Sequence, residues 1–440
     1  MKKNILPYSV LSILILLFCS CSENDTEDNC ILPKFEVPII QPSGSEDYLN
    51  LNSEIIFNQD SLYSFHIKIP GENLAFLDAD PKKEEYTEAM LIFQKDTISP
   101  IGIRYKGSNQ SWNGFLSEGN TGSKSSTKLS TKIKINWLNK GTTFYGLKKL
   151  QFHSLNNDPS LMKERLGYWL YGNFGVKSPR CVHAKLYIND EFIGLYALTE
   201  QIDGKFANLN FQNDGNILKD IWPIQPDRKA TIQSLMIQSL KTNEEISDIS
   251  NFANFAYDIE NTNSMNMKTL IERWFDVESL IRNMVVGFSI GHTDEAAFYW
   301  WCGEGDCVNG NIYWFSDDIN QKVHLIPWDL DNLEFKAIDS TIYFKNNSCM
   351  TGDTIPFYDE SINFLVYNDK LQCGFMEFQD VYEDRMSIFK NTLFNDQTID
   401  PLLIKWKSQI ENDVLRASDI YDDAPSIPIW ENEIQKLKNW

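Results

Sequence analysis

Val182-His183-Ala184-Lys185-Leu186-Tyr187-Ile188-Asn189-Asp190-Glu191-Phe192-Ile193-Gly194-Leu195-Tyr196-Ala197-Leu198 reads as two apolar-rich strands about a two-residue turn. Asn-Asp between two such runs is a strong hairpin signal, because both residues tolerate the left-handed backbone that a tight turn needs. The second strand runs on into Thr199-Glu200-Gln201. A glutamate placed there needs a partner if it is buried. Just upstream, Asp158-Pro159-Ser160 predicts a helix start, a side-chain cap followed by proline at the first helical position. Leu161, Met162, Leu166, Trp169 and Leu170 follow at helical spacing, and Gly175 supplies a left-handed stop.

Further upstream the chain keeps a β period. Leu62 to Ile69 alternates, Met90 to Phe93 and Ile101 to Lys106 continue the pattern, and Gly107 to Trp112 is rich in turn residues. A Gly/Ser/Thr stretch leads to about Ser130, and Lys132-Ile133-Lys134-Ile135-Asn136 alternates again with both lysines on one face. Such lysines are ordinarily a solvated strand edge. Downstream, Ile217-Leu218-Lys219 is a short strand, and then helical patterns take over. They cover Thr231 to Leu240, Ile246 to Tyr257, Ser264 to Trp274 and, capped by Asp276, Val277 to Gly287. Gly291-His292-Thr293-Asp294 is followed by the strand-like Ala297 to Trp301, Ile312 to Phe315 and Val323 to Ile326. Glu377 to Leu393, Pro401 to Leu415 and Glu431 to Trp440 read as terminal helices. No internal repeat is visible. The expected class is α+β, with a β-rich lobe over 53–220 and a mainly helical lobe over 221–440.

Residues 1–21 form a targeting segment: Lys2 and Lys3, an apolar run from Val10 to Phe18 too short to span a bilayer, then Cys19-Ser20-Cys21. This resembles a bacterial lipoprotein signal, with Cys21 the candidate for lipidation and Cys19 the alternative. The expected location is the outer membrane or cell surface, reached by the Sec route and held by a lipid anchor. Residues 22–52 are an acidic and polar linker. A formal charge of −21 argues against nucleic acid as a partner, while leaving room for a local basic pocket that holds a nucleotide. Export permits disulfides. Cys302 and Cys307 bracket a four-residue loop and are the candidate local pair, the other pairings being open.

The carboxylates of Ile326-Pro327-Trp328-Asp329-Leu330-Asp331 follow an apolar run. If the chain stays extended, Asp329 and Asp331 point the same way and can seat Mg²⁺, which takes oxygen ligands. The plain alternative is a capping Asp329 and a solvated Asp331. A basic strand, a Gly/Ser/Asn-rich loop, a loop aspartate and an Asp-x-Asp are together the parts that phosphoryl transfer needs.

In their order these pieces resemble the atypical kinases named after spore-coat protein H, the CotH-like kinases. The resemblance rests on Arg104-Tyr105-Lys106-Gly107-Ser108-Asn109-Gln110-Ser111-Trp112, Lys132-Ile133-Lys134, Asp158 to Leu166, Leu186 to Glu200 and Ile326 to Asp331. It implies a two-lobed divergent protein-kinase-like fold that binds ATP and Mg²⁺ and phosphorylates protein hydroxyls. Carried over by position, it implies Asp294 as the catalytic aspartate, and Asp329 as the metal aspartate with Asp331 a candidate second ligand. Arg104, Lys106, Ser111, Lys132, Lys134, Glu200 and Lys219 are implied as nucleotide-site residues, with the choice between Lys132 and Lys134 for phosphate left open. The loop is one residue longer than the family's usual form, and Glu295-Ala296-Ala297 stands where members often carry an asparagine. A second reading is therefore a kinase-fold surface lipoprotein without transfer activity that binds a glycan or protein partner. The 12 Trp and 18 Tyr residues would suit it, although strand aromatics are more often core. No histidine has metal-ligand spacing, and no Gly-x-Ser-x-Gly elbow supports a hydrolase.

Overall fold

The computed structural model describes residues 53–107, 128–223, 232–245, 248–292, 301–303, 306–308, 311–333, 335, 357–359, 364–366, 370–421 and 424–438. Its first strands are β1 Tyr63–Lys68, β2 Thr87–Phe93, β3 Asp96–Tyr105, β4 Thr131–Lys134, β5 Lys149–His153, β6 Cys181–Ile188 and β7 Glu191–Thr199. They close into a barrel in the order β1-β2-β3-β4-β5-β7-β6. Neighbours are antiparallel except at the closure, where β1 runs parallel to β6. Closure leaves no free edge. Alternation sends Phe65, Ile67, Leu91, Phe93, Ile103, Ile133, Leu150, Phe152, Leu186 and Leu198 into one buried cluster. Polar and charged side chains at the intervening positions of β3, β4 and β5 point outward. The hairpin turn forms as its chemistry dictates, with φ of 49° at Asn189 and 71° at Asp190.

Helices α1 Gly71–Ala79, α2 Lys163–Asn173 and α3 Gly204–Phe211 are set among these strands, α2 between β5 and β6 and α3 after β7. Then come α4 Ile232–Ser239, α5 Ser250–Asn261, α6 Met267–Trp274, α7 Val277–Ile290, α8 Lys370–Met376, α9 Gln379–Thr392, α10 Asp396–Ser418 and α11 Ile427–Lys436. A second sheet, ordered β12-β11-β8, holds β8 Asn216–Lys219, β11 Ile312–Asp317 and β12 Lys322–Pro327. The chain thus leaves the barrel between Thr199 and Asn216. Trp314 lies at the centre of the second core, its ring 5.5 Å from those of Trp222 and Phe252 and 5.9 Å from Phe255. The short strands β9 Trp301–Gly303 and β10 Asp306–Val308 pair so that Cys302 stands opposite Cys307 in the backbone register. The strands β13 Phe357–Asp359 and β14 Phe364–Val366 form another short ribbon. Cys373 is disulfide-bonded, and Cys181 is a buried free thiol. The fold is α+β, β-rich first and mainly helical after.

Three local expectations are corrected. The helix expected from Asp158 begins only at Lys163. Leu161 has a φ of 59°, which a helix cannot run through, and the Asp158 carboxylate instead accepts the N–H groups of Ser160 and Lys163 at 2.9 and 2.8 Å. The helix expected from Pro401 starts at Asp396, capped by the Asn395 side chain. Last, the chain is not extended across the two carboxylates, since β12 ends at Pro327 and Asp329 has a φ of 64°.

Candidate active site

The barrel register sets Arg104 beside Lys132, Lys132 beside Gln151, and Gln151 beside Thr199, making a row across β3, β4, β5 and β7. The row lies on the outer face because Ile103, Ile133, Leu150 and Phe152 occupy the inner one. Just past β3, the Lys106 ammonium donates to Gln151 Oε1 at 3.1 Å and reaches His153 Nε2 at 2.6 Å. It also lies 5.3 Å above the ring of Trp328. Arg104 pairs with Glu84 at 2.5 Å, and the same glutamate accepts from Gly107 N, so it anchors both ends of the step into the following loop. Lys134 lies over the Tyr86 ring.

These cations crowd one another. Burial is the main cause that lowers Lys106 to about 8, with Asp329 and Glu164 opposing and Lys219 and Arg104 assisting. Lys132 is pushed down to about 6 by burial first, then by the charges of Lys106, Lys149 and Arg104. Lys132 therefore shares the field of Lys106. Lys219, at the end of β8, pairs with Asp220 at 2.9 Å and lies near the Tyr313 ring.

The carboxylates face this row from the turn after β12. Trp328 is buried, edge-on to His153 at 5.5 Å and to Tyr313 at 5.4 Å. Leu330 and Leu333 press on α2 at Gly167, where an added Cβ would lie 3.0 Å from each. The left-handed turn at Asp329 then brings the two carboxylates into one field by folding back, not by strand alternation. Asp331 is raised well above the usual carboxylate range by burial, then by Asp329, Glu164 and Asp158. His292, directly after the left-handed Gly291 that ends α7, lies against the same turn. Burial lowers its imidazole to about 4, opposed by Asp329, and Tyr171 Oη lies 3.2 Å from its Nδ1.

Glu164 opens α2 and is fully buried. Its Oε1 meets His153 Nδ1 at 2.6 Å and accepts from Thr199 Oγ1 at 2.7 Å. Among the described residues its Oε2, like Gln151 Nε2, is buried without a hydrogen-bond partner. Such orphaned groups are costly unless something completes them. Sequence reasoning missed Glu164 and His153. The one signal available was their place at a helix start and a strand end, and only the fold shows them touching. Asp203, the side-chain cap of α3, was missed as well; burial raises its carboxyl, with Lys149 opposing.

Glu200 is engaged within the fold. Both its oxygens are taken by Arg180, Nε at 3.0 Å and Nη2 at 2.6 Å, so its carboxylate ties the end of β7 to the residue before β6. Asp294, Ser111 and Cys21 lie outside the described residues.

Among the described residues no three His, Cys, Asp or Glu side chains are arranged to hold a metal by themselves. Mg²⁺ does not need that, since it commonly takes one or two carboxylates and completes its shell with water and phosphate oxygens. The crowding of the Asp329 and Asp331 carboxylates, whose mutual repulsion adds to burial in raising Asp331, is one that a divalent cation would relieve. The residues present fit the ion, and Asp329 and Asp331 would hold it.

A family model described as CotH kinase protein matches residues 103–440. The match takes in the cationic row, the carboxylate turn and the helical region, and it begins at the end of β3. No curated protein matches the chain.

Proposed function

From its membership of the CotH kinase family, to which the chain belongs over residues 103–440, we propose that it is a protein kinase. In this reading it moves the terminal phosphate of ATP to serine or threonine hydroxyls of proteins outside the cytoplasm. The observation that carries it is the cationic row, with Lys106 and Lys132 held below their ordinary lysine values, facing two carboxylates in a chain of net charge −21. A cluster of basic side chains, crowded enough to gain from an anionic ligand, beside a hard-oxygen pair suits a phosphate chain carrying a divalent cation.

Phosphoryl transfer asks chiefly for positioning and charge stabilisation. Arg104, Lys106 and Lys132 bind and orient phosphate oxygens, and Gln151 Nε2 offers a further donor. Trp328 covers the pair of Lys106 and His153 and keeps water from it. Mg²⁺, when bound at Asp329 and Asp331, supplies neutralisation of phosphate charge. In the transfer itself the protein hydroxyl oxygen bonds to the terminal phosphorus, the bond to ADP oxygen breaks, and Asp294 takes the hydroxyl proton. In this reading the work lies at the bacterial envelope with the chain tethered through Cys21, a location that the lipoprotein-like start supports.

Calorimetry of the chain from residue 22 with ATP, with and without Mg²⁺, tests the reading on wild type and Asp329→Asn. Metal-dependent binding lost in the variant is the expected result. A folded wild type that binds no nucleotide would sink the kinase reading.

A further inference from the structure

Glu164 is fully buried on α2, and His153 at the end of β5 is 6% exposed. One carboxylate oxygen, one imidazole and one ammonium make a continuous chain from Thr199 to Lys106, with both imidazole links at 2.6 Å. The chemistry fixes its polarity. An ammonium has only hydrogens to offer, so His153 Nε2 must accept. Glu164 Oε1 is an acceptor that already takes the Thr199 hydroxyl, so His153 Nδ1 must carry the hydrogen. Trp328 closes the chain edge-on to the imidazole while lying beneath the ammonium.

We propose that His153 is a positioning residue for the phosphate-binding lysine: Glu164 fixes its ring through Nδ1–H, and its Nε2 holds the Lys106 ammonium facing the Asp329 turn. The inference rests on the kinase reading and adds to it the device that aims the lysine. An imidazole suits that task better than a carboxylate in direct contact would. A carboxylate would cancel the ammonium charge, whereas a nitrogen lone pair orients it and leaves the whole charge for an anionic ligand. Glu164 acts one ring away, where its Oε1 steadies the imidazole. The arrangement also couples β5 to α2, and α2 in turn carries the carboxylate turn against Gly167. Row and carboxylates are thereby held in register with each other.

The test uses the chain from residue 22 and two independent readouts. Spectra of ¹⁵N-histidine protein, with His153 assigned by its loss in His153→Gln, are expected to show hydrogen on Nδ1 and a bare Nε2. The Nε2 resonance is expected to move in Lys106→Met. Hydrogen on Nε2, or no movement in Lys106→Met, overturns the proposal. In calorimetry with Mg·ATP, His153→Leu is expected to weaken binding at least about tenfold. His153→Gln, which can still accept from Lys106 and donate to Glu164, is expected to stay within about threefold of wild type. Equal affinity in a folded His153→Leu overturns the proposal. A wild type that binds no Mg·ATP defeats the kinase reading instead, and the spectra then decide the contact alone.

Discussion

Lys132 stands on a strand where an outward lysine would ordinarily be solvated, yet burial first, and then the charges of Lys106, Lys149 and Arg104, push it down to about 6. Between about pH 6 and 10.5 the unfolded chain therefore binds a proton there that the folded chain refuses, so stability contributed at this site rises with pH across that window. Lys132→Met should accordingly be more stable than wild type, most near pH 6 and least near pH 10, as read from urea midpoints across pH. A difference independent of pH would show that the lysine is not desolvated. The same field makes a prediction about ligand. Phosphate charge favours the protonated lysines, so binding of Mg·ATP at pH 8 should take up protons, measured by calorimetry in buffers of different ionisation enthalpy. Zero net uptake would place the phosphates elsewhere. Asp329 is a second case in which the residue type matters for two reasons. Its φ of 64° suits Asp or Asn and costs an alanine about 1 kcal/mol. Asp329→Asn should thus lose metal-dependent binding without losing stability, and Asp329→Ala should lose both, as thermal unfolding run beside the calorimetry would show.

At the scale of elements, α2 does the most to assemble the site. Its first turn supplies Glu164, Arg165 follows at once, and Gly167 gives the flat patch on which Leu330 and Leu333 lie. A larger residue there has no room: the two leucines stand 3.0 Å from the position of a Cβ. Gly167→Val should cost about 1–3 kcal/mol by overpacking and weaken Mg·ATP binding although the residue touches no ligand. Unfolding midpoints and calorimetry check the two halves separately, and wild-type affinity in the variant would detach the carboxylate turn from α2. The helix was legible from Leu166, Trp169 and Leu170 at helical spacing, but its start was not. Asp158-Pro159-Ser160 carries a cap's chemistry and uses it to build a turn five residues earlier, because the left-handed Leu161 intervenes. The carboxylate turn misled in the same way. Period-two reasoning holds only while the backbone stays extended, and no residue short of the fold itself announces that Asp329 turns back.

At the scale of the whole molecule, Arg165 joins three regions that are far apart in sequence. It is buried without a carboxylate partner among the described residues. It donates to Gln59 Oε1 and O, to His183 Nδ1 on β6 and to Gln409 on α10, over the face of Trp406 at 4.2 Å. Burial lowers its guanidinium to about 9. Removing it would orphan several buried acceptors at once, each worth about 1–3 kcal/mol. Arg165→Met should therefore destabilise the chain by about 3 kcal/mol or more, with barrel and helical regions unfolding together. Separate transitions in hydrogen exchange would count against Arg165 as the link. By itself the sequence determined the β-rich-then-helical order, the hairpin about Asn189-Asp190, the cationic alternation of β4 and the family, because these depend on local period, turn chemistry and short ordered motifs. Tertiary structure alone decided that the barrel closes by a parallel β1–β6 pairing and that β8 belongs to the second sheet. It alone brought Glu164 to Lys106 through His153 and turned Glu200 toward Arg180. The physical reason is that strand partners and buried polar contacts are chosen by which surfaces meet in three dimensions, and that choice leaves no periodic mark on the residues that make it.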